Sequence, residues 1–377
     1  MVARRLVLGR LLRVLHRARN LGLWPEVRAL LRDRLLPVKI GPAQDGAPVP
    51  PLLFQMATAY WVSQAIYVAA KLGIADLLKD GPRSCIEVAG ATGSDAASLI
   101  RLMRTLASVG VFSHVRGDCF ALSRLAESLQ TEAPGSLRAI VITIGEIHYQ
   151  AYGNLLHSIQ TGAPAFNNVF GESLFDHLKQ NSDAARTFNG GMTNLSSMLA
   201  YAVLIAYDFS GISSIVDVGG GQGELMRKLL QFNPNMKGSV FDTASTIERA
   251  EQPDNNTSDR RCTYLTGDFF NSVPQGADAY LLCGVIHDWD DARAVRILRN
   301  CRRAMAEHGR VLIIDMVVPD TDAPSFSKLL DLNMLVMNGG RERTEAEVGA
   351  LLDAASCKLT RVVPTMAPQS IIEAIPK

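Results

Sequence analysis

The chain has 377 residues, 47% of them hydrophobic and 20% charged, with a formal net charge of +1. That length allows two domains with a sizeable core, and the balanced charge gives no global field to attract nucleic acid or other polyanions. The six cysteines (Cys85, Cys119, Cys262, Cys283, Cys301, Cys357) form no C-x-x-C pair or Cys/His cluster, which argues against a metal site and for reduced thiols in a cytoplasmic protein; no uninterrupted apolar run is long enough to span a bilayer.

Residues 1–35 are strongly basic, with nine arginines facing only Glu26 and Asp33. At helical spacing Val7, Leu8, Leu11, Leu12, Val14 and Leu15 fall on one side, and Arg10, Arg13 and Arg17 on the other. Such a helix can lie on an anionic membrane surface, or dock its apolar side on its own protein or a partner subunit; docking is the expectation here. Arginines interrupting the apolar run disfavour a secretory signal, and an organelle transit peptide stays open. Gly41 to Pro51 reads as a linker, so residues 1–48 form an extension, 49–155 a first domain and 156–377 a second.

Leu52 to Leu78 carries a helical pattern. Ile86 to Ala91, a Gly93-Ser94 turn and Ser98 to Val109 predict a helix-turn-helix, and Val111 to Ser113 with Cys119 to Leu122 predict a small β wing. A winged helix can bind DNA, but Arg101 and Arg104 lack the basic surround that phosphate contacts need, so dimerisation or substrate shaping is the expected role. Further helices are predicted over Leu137 to Ile159 and Ser173 to Tyr207. Core packing accounts for most of their large apolar residues, while Phe175, Phe188 and Met192 are candidates to line an apolar pocket.

The stretch Ile215-Val216-Asp217-Val218-Gly219-Gly220-Gly221-Gln222-Gly223-Glu224 reads as strand, tight turn and helix, the first βα unit of a doubly wound sheet. It departs from the dinucleotide pattern G-x-G-x-x-G, because Glu224 stands at the third glycine position. Asp217 and Glu224 beside a helix N-terminus oppose a pyrophosphate and suit an ammonium group, such as the amino-acid end of S-adenosylmethionine. About 20 residues on, Asp242 ends a second strand where a ribose diol would be held. Gly267-Asp268-Phe269 follows a third strand, Cys262 to Leu265.

Ala277 to Cys283 is a strongly apolar fourth strand, so His287 falls at its carboxyl end, where open α/β sheets hold ligands. A fifth strand ends at Asp315, and a helix through Lys328 to Met337 leads into Asn338-Gly339-Gly340-Arg341-Glu342-Arg343-Thr344. Met334, Met337 and Asn338 join the candidate pocket residues. Thr344 with Glu347 predicts a capping box for a helix over 345–355, and Leu359 to Val363 and Ile371 to Ile375 are the last strands. The alternation of β and α elements gives an α/β catalytic domain.

The glycine stretch 217–223, Phe241-Asp242, Gly267-Asp268-Phe269, His287-Asp288-Trp289-Asp290-Asp291 and Gly339 to Thr344 together resemble the S-adenosylmethionine-dependent O-methyltransferases of the caffeate and hydroxyindole type, from about residue 50 to the C-terminus. The resemblance implies a Rossmann-like class I methyltransferase domain behind a winged-helix dimerisation domain, and a homodimer. It implies cofactor contacts at Ser196, Asp217, Gly219, Gly221, Asp242, Asp268 and Phe269, and a general base at His287 flanked by Asp315 and Glu342. Asp315 stands where the family commonly has Glu. Cys283 and Gly284 stand where the family often has a basic residue. The implied partner is a small hydroxylated aromatic or polyketide-type acceptor, with no nucleic acid and no metal. A neutral histidine, of ordinary pKa about 6.5, would take the acceptor's proton as the methyl group moves. Two alternatives are a relative that has drifted to another reaction such as hydroxylation, and a DNA-binding regulator.

Overall fold

A computed structural model describes residues 16–23, 49–248 and 260–377. The rest of the basic segment and nearly all of the expected linker lie outside the described residues. The described chain divides into two compact units, one of residues 49–161 and 165–195, the other of residues 16–23, 162–164 and 196–377.

The first unit begins with helices α1 (Val49–Thr58) and α2 (Tyr60–Lys71), followed by strand β1 (Arg83–Ser84), α3 (Cys85–Thr92) and α4 (Ala96–Ser108). Ser84 caps α3 through a reciprocal box with Glu87, and Asp95 caps α4. The wing is β2 (Phe112–Arg116) with β3 (Cys119–Leu122), and β1 adds a third strand in the order β1-β3-β2. Two residues are too few to show alternation, so the sequence gives no sign of β1. Leu99, Met103 and Leu106 on α4 close the core against Phe112 and Phe120.

The expected helix over 137–159 is broken into Arg138–Thr143, a π-helical turn at Ile144–His148, Tyr149–Tyr152 and Leu155–Thr161. A Cβ on Gly145 would stand 2.1 Å from the Tyr67 ring, so the turn requires glycine there. The long helix α5 (Ser182–Ala206) follows. Its first half packs on Arg138–Thr143, Gly191 lying against Ile140. Residues 165–195 therefore group with the first unit, beyond the 155/156 boundary expected from the sequence, because an unbroken helix hides the division.

The second unit is built on seven strands in the order β6-β5-β4-β7-β8-β10-β9. These are β4 (Ser214–Val218), β5 (Lys237–Asp242), β6 (Cys262–Thr266), β7 (Ala279–Cys283), β8 (Arg310–Asp315), β9 (Cys357–Pro364) and β10 (Ser370–Pro376). The first five are parallel, and β10 lies antiparallel between β8 and β9. Successive strand residues alternate between two cores. Val216, Tyr280, Leu282, Val311 and Ile313 face helices α7 (Asp291–Ala304) and α9 (Glu345–Ala354), with α8 (Phe326–Met337) between them in the chain. Ile215, Leu281, Leu312 and Ile314 face the end of α5 and helix α6 (Glu224–Phe232). The predicted capping box of Thr344 and Glu347 is present on α9.

The chain leaves β4 for β5 and β6, then returns to place β7 on the other side of β4. The turns after β4 and β7 thus diverge at the point where the strand order reverses, and this crevice is where doubly wound sheets hold ligands. Among the described residues, no helix is long and apolar enough to cross a membrane.

Residues 16–23 are integral to the second core: Ala18 and Leu23 are buried with Leu204, Tyr207 and Phe209, and Arg17 donates to Asp208 at 2.8 Å. Leu23→Ala should therefore lower stability by about 2–5 kcal/mol in urea unfolding, the usual range for a buried leucine. An unchanged midpoint would show that the segment does not dock.

Candidate active site

Asp217 is the last buried polar residue of β4, at 1% exposure, and its Oδ1 has no hydrogen-bond partner. Burial, and then the nearby Asp242, push its pKa up to about 7. The turn that follows lies directly over this carboxyl. A Cβ on Gly220 would come within 2.7 Å of Asp217 Cγ. Gly219 has φ +73°, donates to the Phe241 carbonyl at 2.8 Å, and has no room for a side chain beside Val285.

Asp242, at the end of β5, accepts from the Gly221 N–H at 3.0 Å and the Thr243 N–H at 2.7 Å. Each carboxylate oxygen keeps a lone pair for a further donor. Asp268 is exposed and accepts from the Phe270 N–H and Asn271 Nδ2, both at 2.8 Å, which folds the turn and turns the Phe269 ring towards Gly219. Phe269 is held edge-to-face by Phe270 and Trp289 at 5.0 and 6.1 Å. An unpartnered buried carboxyl, a glycine turn without side chains, and an aromatic face fit a ligand that is cationic at one end and flat at the other.

Glu224 does not share this role. It pairs with Arg227 at 2.7 Å and accepts from Ser197 at 3.2 Å, so its charge is already compensated. Ser197 makes that bond, while Ser196 is half-buried beside it. Cys283, half-buried on β7, lies between the strands that carry Asp217 and Asp315, and desolvation, with those two carboxylates, pushes its thiol well up. A neutral thiol at this position supplies no cation to either acid.

His287 sits in a 3₁₀ turn, Ile286–Asp288, after β7. Its Nδ1 lies 2.6 Å from Glu342 Oε1, and its Nε2 is 3.7 Å from Asp288 Oδ1. The Glu342 side chain is fully buried and the imidazole is 19% exposed. Asp315, at the end of β8, is buried, and its Oδ1 has no partner. Burial alone would lower the imidazole pKa, but Asp315, Glu342 and Asp288 outweigh it and raise it to about 10. Burial likewise pushes Asp315 up to about 7, against the pull of His287. The three carboxylates thus favour the protonated ring, a pull that works against the neutral histidine expected from the sequence. Since Nδ1 is committed to Glu342, Nε2 is the nitrogen able to exchange a proton with a bound molecule.

The loop that carries Glu342 holds this pair in place, through Asn338, a pocket candidate, and through residues that the sequence did not single out. Asn338 donates to Asp288 at 2.7 Å and accepts from Gly340 N–H at 3.0 Å, which occupies its amide in bracing the loop. Arg341 N–H donates to the His287 carbonyl, and Glu342 N–H to Asp331, at 2.8 and 2.9 Å. A Cβ on Gly340 would stand 2.1 Å from the His287 carbonyl oxygen. Among the remaining candidates, Met337 and Met334 are buried in the second unit. In the first unit Phe188 is half-buried, and Phe175 and Met192 are exposed. Among the described residues, no group of three or more His, Cys, Asp or Glu side chains could hold a metal ion.

Comparison with known proteins gives this geometry its class. Residues 152–358 match the O-methyltransferase domain, and residues 54–132 the O-methyltransferase dimerisation domain. The chain is similar to the phenazine O-methyltransferase PhzM of Lysobacter antibioticus, 43% identical over 331 residues that cover 87% of this chain and 97% of that one. It is also similar in structure to human N-acetylserotonin methyltransferase in complex with S-adenosylmethionine, with TM-score 0.81, 28% identity, and 89% and 99% of the two chains covered. A third similar structure is the O-methyltransferase NcsB1 from neocarzinostatin biosynthesis, in complex with S-adenosylmethionine and 2-hydroxy-5-methyl naphthoic acid; TM-score is 0.73 and identity 32%, covering 84% and 96%. The chain thus belongs to the S-adenosylmethionine-dependent O-methyltransferases of secondary metabolism, with a class I methyltransferase fold.

A histidine whose folded pKa lies above its unfolded value of about 6.5 adds stability that is complete below that pH and is lost as pH rises through about 10. Glu342→Gln should lower the imidazole pKa, so that the alkaline loss begins at lower pH. Titration of the His287 ring by NMR, with thermal melts at each pH, measures both. A wild-type ring titrating near its ordinary value would contradict this account.

Proposed function

We propose that the enzyme methylates a phenolic hydroxyl of a small aromatic natural product, that His287 is the general base, and that the enzyme works as a homodimer. The observation that carries the reading is the buried 2.6 Å bond from His287 to Glu342, which leaves Nε2 available at the carboxyl end of β7. S-adenosylmethionine, when bound, supplies a methyl group on a positively charged sulfur. Asp217 offers an unpaired carboxyl to its amino group, Asp242 acceptors for a ribose diol, and the Phe269 ring a face for adenine.

A phenol loses its proton with a pKa of about 10. An unperturbed imidazole would take that proton far uphill, whereas one raised to about 10 matches it. Glu342 orients the ring through Nδ1, and its charge, with that of Asp315, stabilises the imidazolium left behind. The cost is that little of the base is free at neutral pH. Activity should therefore climb with pH, about tenfold in kcat/KM per unit well below the imidazole pKa. The aromatic acceptor class is supported by the two similar proteins named for phenazine and found with a naphthoic acid.

The dimer reading is supported by the dimerisation match and by Phe54, Met56, Tyr60 and Trp61, which stand exposed on α1 and α2. Apolar surface of this kind is ordinarily covered by a two-fold partner. Trp61→Glu should shift the mass measured by light scattering towards the monomer; a wild-type monomer at micromolar concentration would remove the claim.

The central test is His287→Ala, assayed with S-adenosylmethionine and a panel of phenols by the 14 Da gain of one CH₂, the net change when methyl replaces hydrogen. Turnover should fall by roughly 10²–10⁴ while affinity for the methyl donor stays nearly intact. Both enzymes should gain rate as pH rises towards the acceptor's own pKa, because free imidazole and phenolate accumulate over the same range. Undiminished turnover at neutral pH would mean that the histidine is no base.

A further inference from the structure

We infer that Arg343 is the positioning residue of the acceptor base: one sealed guanidinium that fixes the backbone on both sides of His287 and so sets its separation from Glu342. The inference rests on the reading of His287 as base.

Arg343 is 3% exposed, a rare state for an arginine, and every one of its five N–H donors has an acceptor. Nη1 donates to the Ile286 carbonyl at 3.2 Å and the Arg341 carbonyl at 3.4 Å. Nη2 donates to the Trp289 carbonyl at 2.7 Å and to Asp291 Oδ1 at 2.8 Å, which Nε also reaches at 3.0 Å. Ile286 and Trp289 bracket His287 and Asp288, and Asp291 opens helix α7. The same residue is covalently next to Glu342, and its own backbone is pinned by the Val318 N–H, which donates to its carbonyl at 2.9 Å. The imidazole and the carboxylate thus belong to two loops joined by one rigid planar fork.

Lysine cannot replace this fork. Its ammonium has three donors on a flexible stem, so it keeps the charge but cannot hold Ile286, Trp289 and Asp291 together. Arg343→Lys therefore separates geometry from charge. With the charge retained, what changes is the freedom of the 286–289 turn to drift from Glu342. Drift weakens the Nδ1 hydrogen bond, which is one of the influences holding the imidazole pKa high, so the pKa falls. The base-competent form then appears at lower pH, and the productive orientation is populated less often.

The experiment compares wild type, Arg343→Lys, Asp291→Asn and His287→Ala in steady-state assays across pH, with thermal melts and calorimetric titration of S-adenosylmethionine. Arg343→Lys should lower kcat by about 10²-fold, the order expected for a misplacement near 1 Å. It should also move the alkaline-rising limb of kcat/KM to lower pH and leave affinity for the methyl donor nearly intact. Asp291→Asn replaces the carboxylate that takes two of the fork's five bonds with a neutral amide oxygen, which weakens both, so a smaller fall and a shift of the limb in the same direction are expected. A folded Arg343→Lys with unchanged kcat and limb overturns the inference. If that variant does not fold, an Asp291→Asn enzyme indistinguishable from wild type overturns it instead. A fall in kcat with an unmoved limb also overturns it, because that is what general loosening gives. His287→Ala tells the two readings apart: if it retains turnover, the base assignment fails, whatever Arg343 does.

Discussion

A hydrogen bond between an imidazole and a carboxylate sealed from water constrains the second unit more than any other contact. Glu342 has no solvent to relieve its charge, so the 2.6 Å bond to His287 supplies the main compensation its buried oxygen receives. Breaking it would leave an uncompensated ion in a medium of low polarity, which is why so much backbone is devoted to keeping it. The loop from Asn338 to Arg343 folds back on the turn after β7 through carbonyl, amide and guanidinium contacts. Those contacts have no apolar burial to recommend them. They exist because the two charged groups must not part.

The cofactor side follows a different logic. Three carboxylic groups, Asp217, Asp315 and Glu342, each keep a buried oxygen with no partner. Cys283 lies between the first two and carries no charge to balance them. The sheet's carboxyl ends are thus an acidic floor, on which burial raises the pKa of Asp217 and Asp315. A ligand bearing positive charge would favour ionisation of Asp217, so the polarity of the floor suits a cationic group. Asp242 and Asp268 differ in kind, because backbone N–H groups already satisfy them and they serve as shaped acceptors.

Much of this was legible because it is local. A β-branched run, a glycine cluster and an apolar helical stripe place Asp217 and Asp242 at strand ends, and topology places His287 beside them. The capping box on α9 could be read from two residues three apart. What escaped was set by long-range packing. Nothing in the sequence marks Arg343 as buried, since four of its five donor contacts reach residues over 50 positions away. The Glu224–Arg227 pair, three residues apart on α6, was within reach of the sequence and went unused, while the Ser197 bond was not; the reading therefore gave the ammonium site two acids where the fold leaves one free. The imidazole's proton affinity depends on three carboxylates converging in space, and no spacing rule carries that sum.

Gly340 has a consequence for how such an enzyme diversifies. Any side chain there would occupy the position of the His287 carbonyl. The loop from Asn338 to Arg343 therefore admits no side chain at its closest approach to the turn after β7, and a substitution at Gly340 would have to displace that turn. Sequence change is then confined to positions away from that contact, so the His287–Glu342 pair and the backbone that carries it are inherited as one block, held by a missing Cβ.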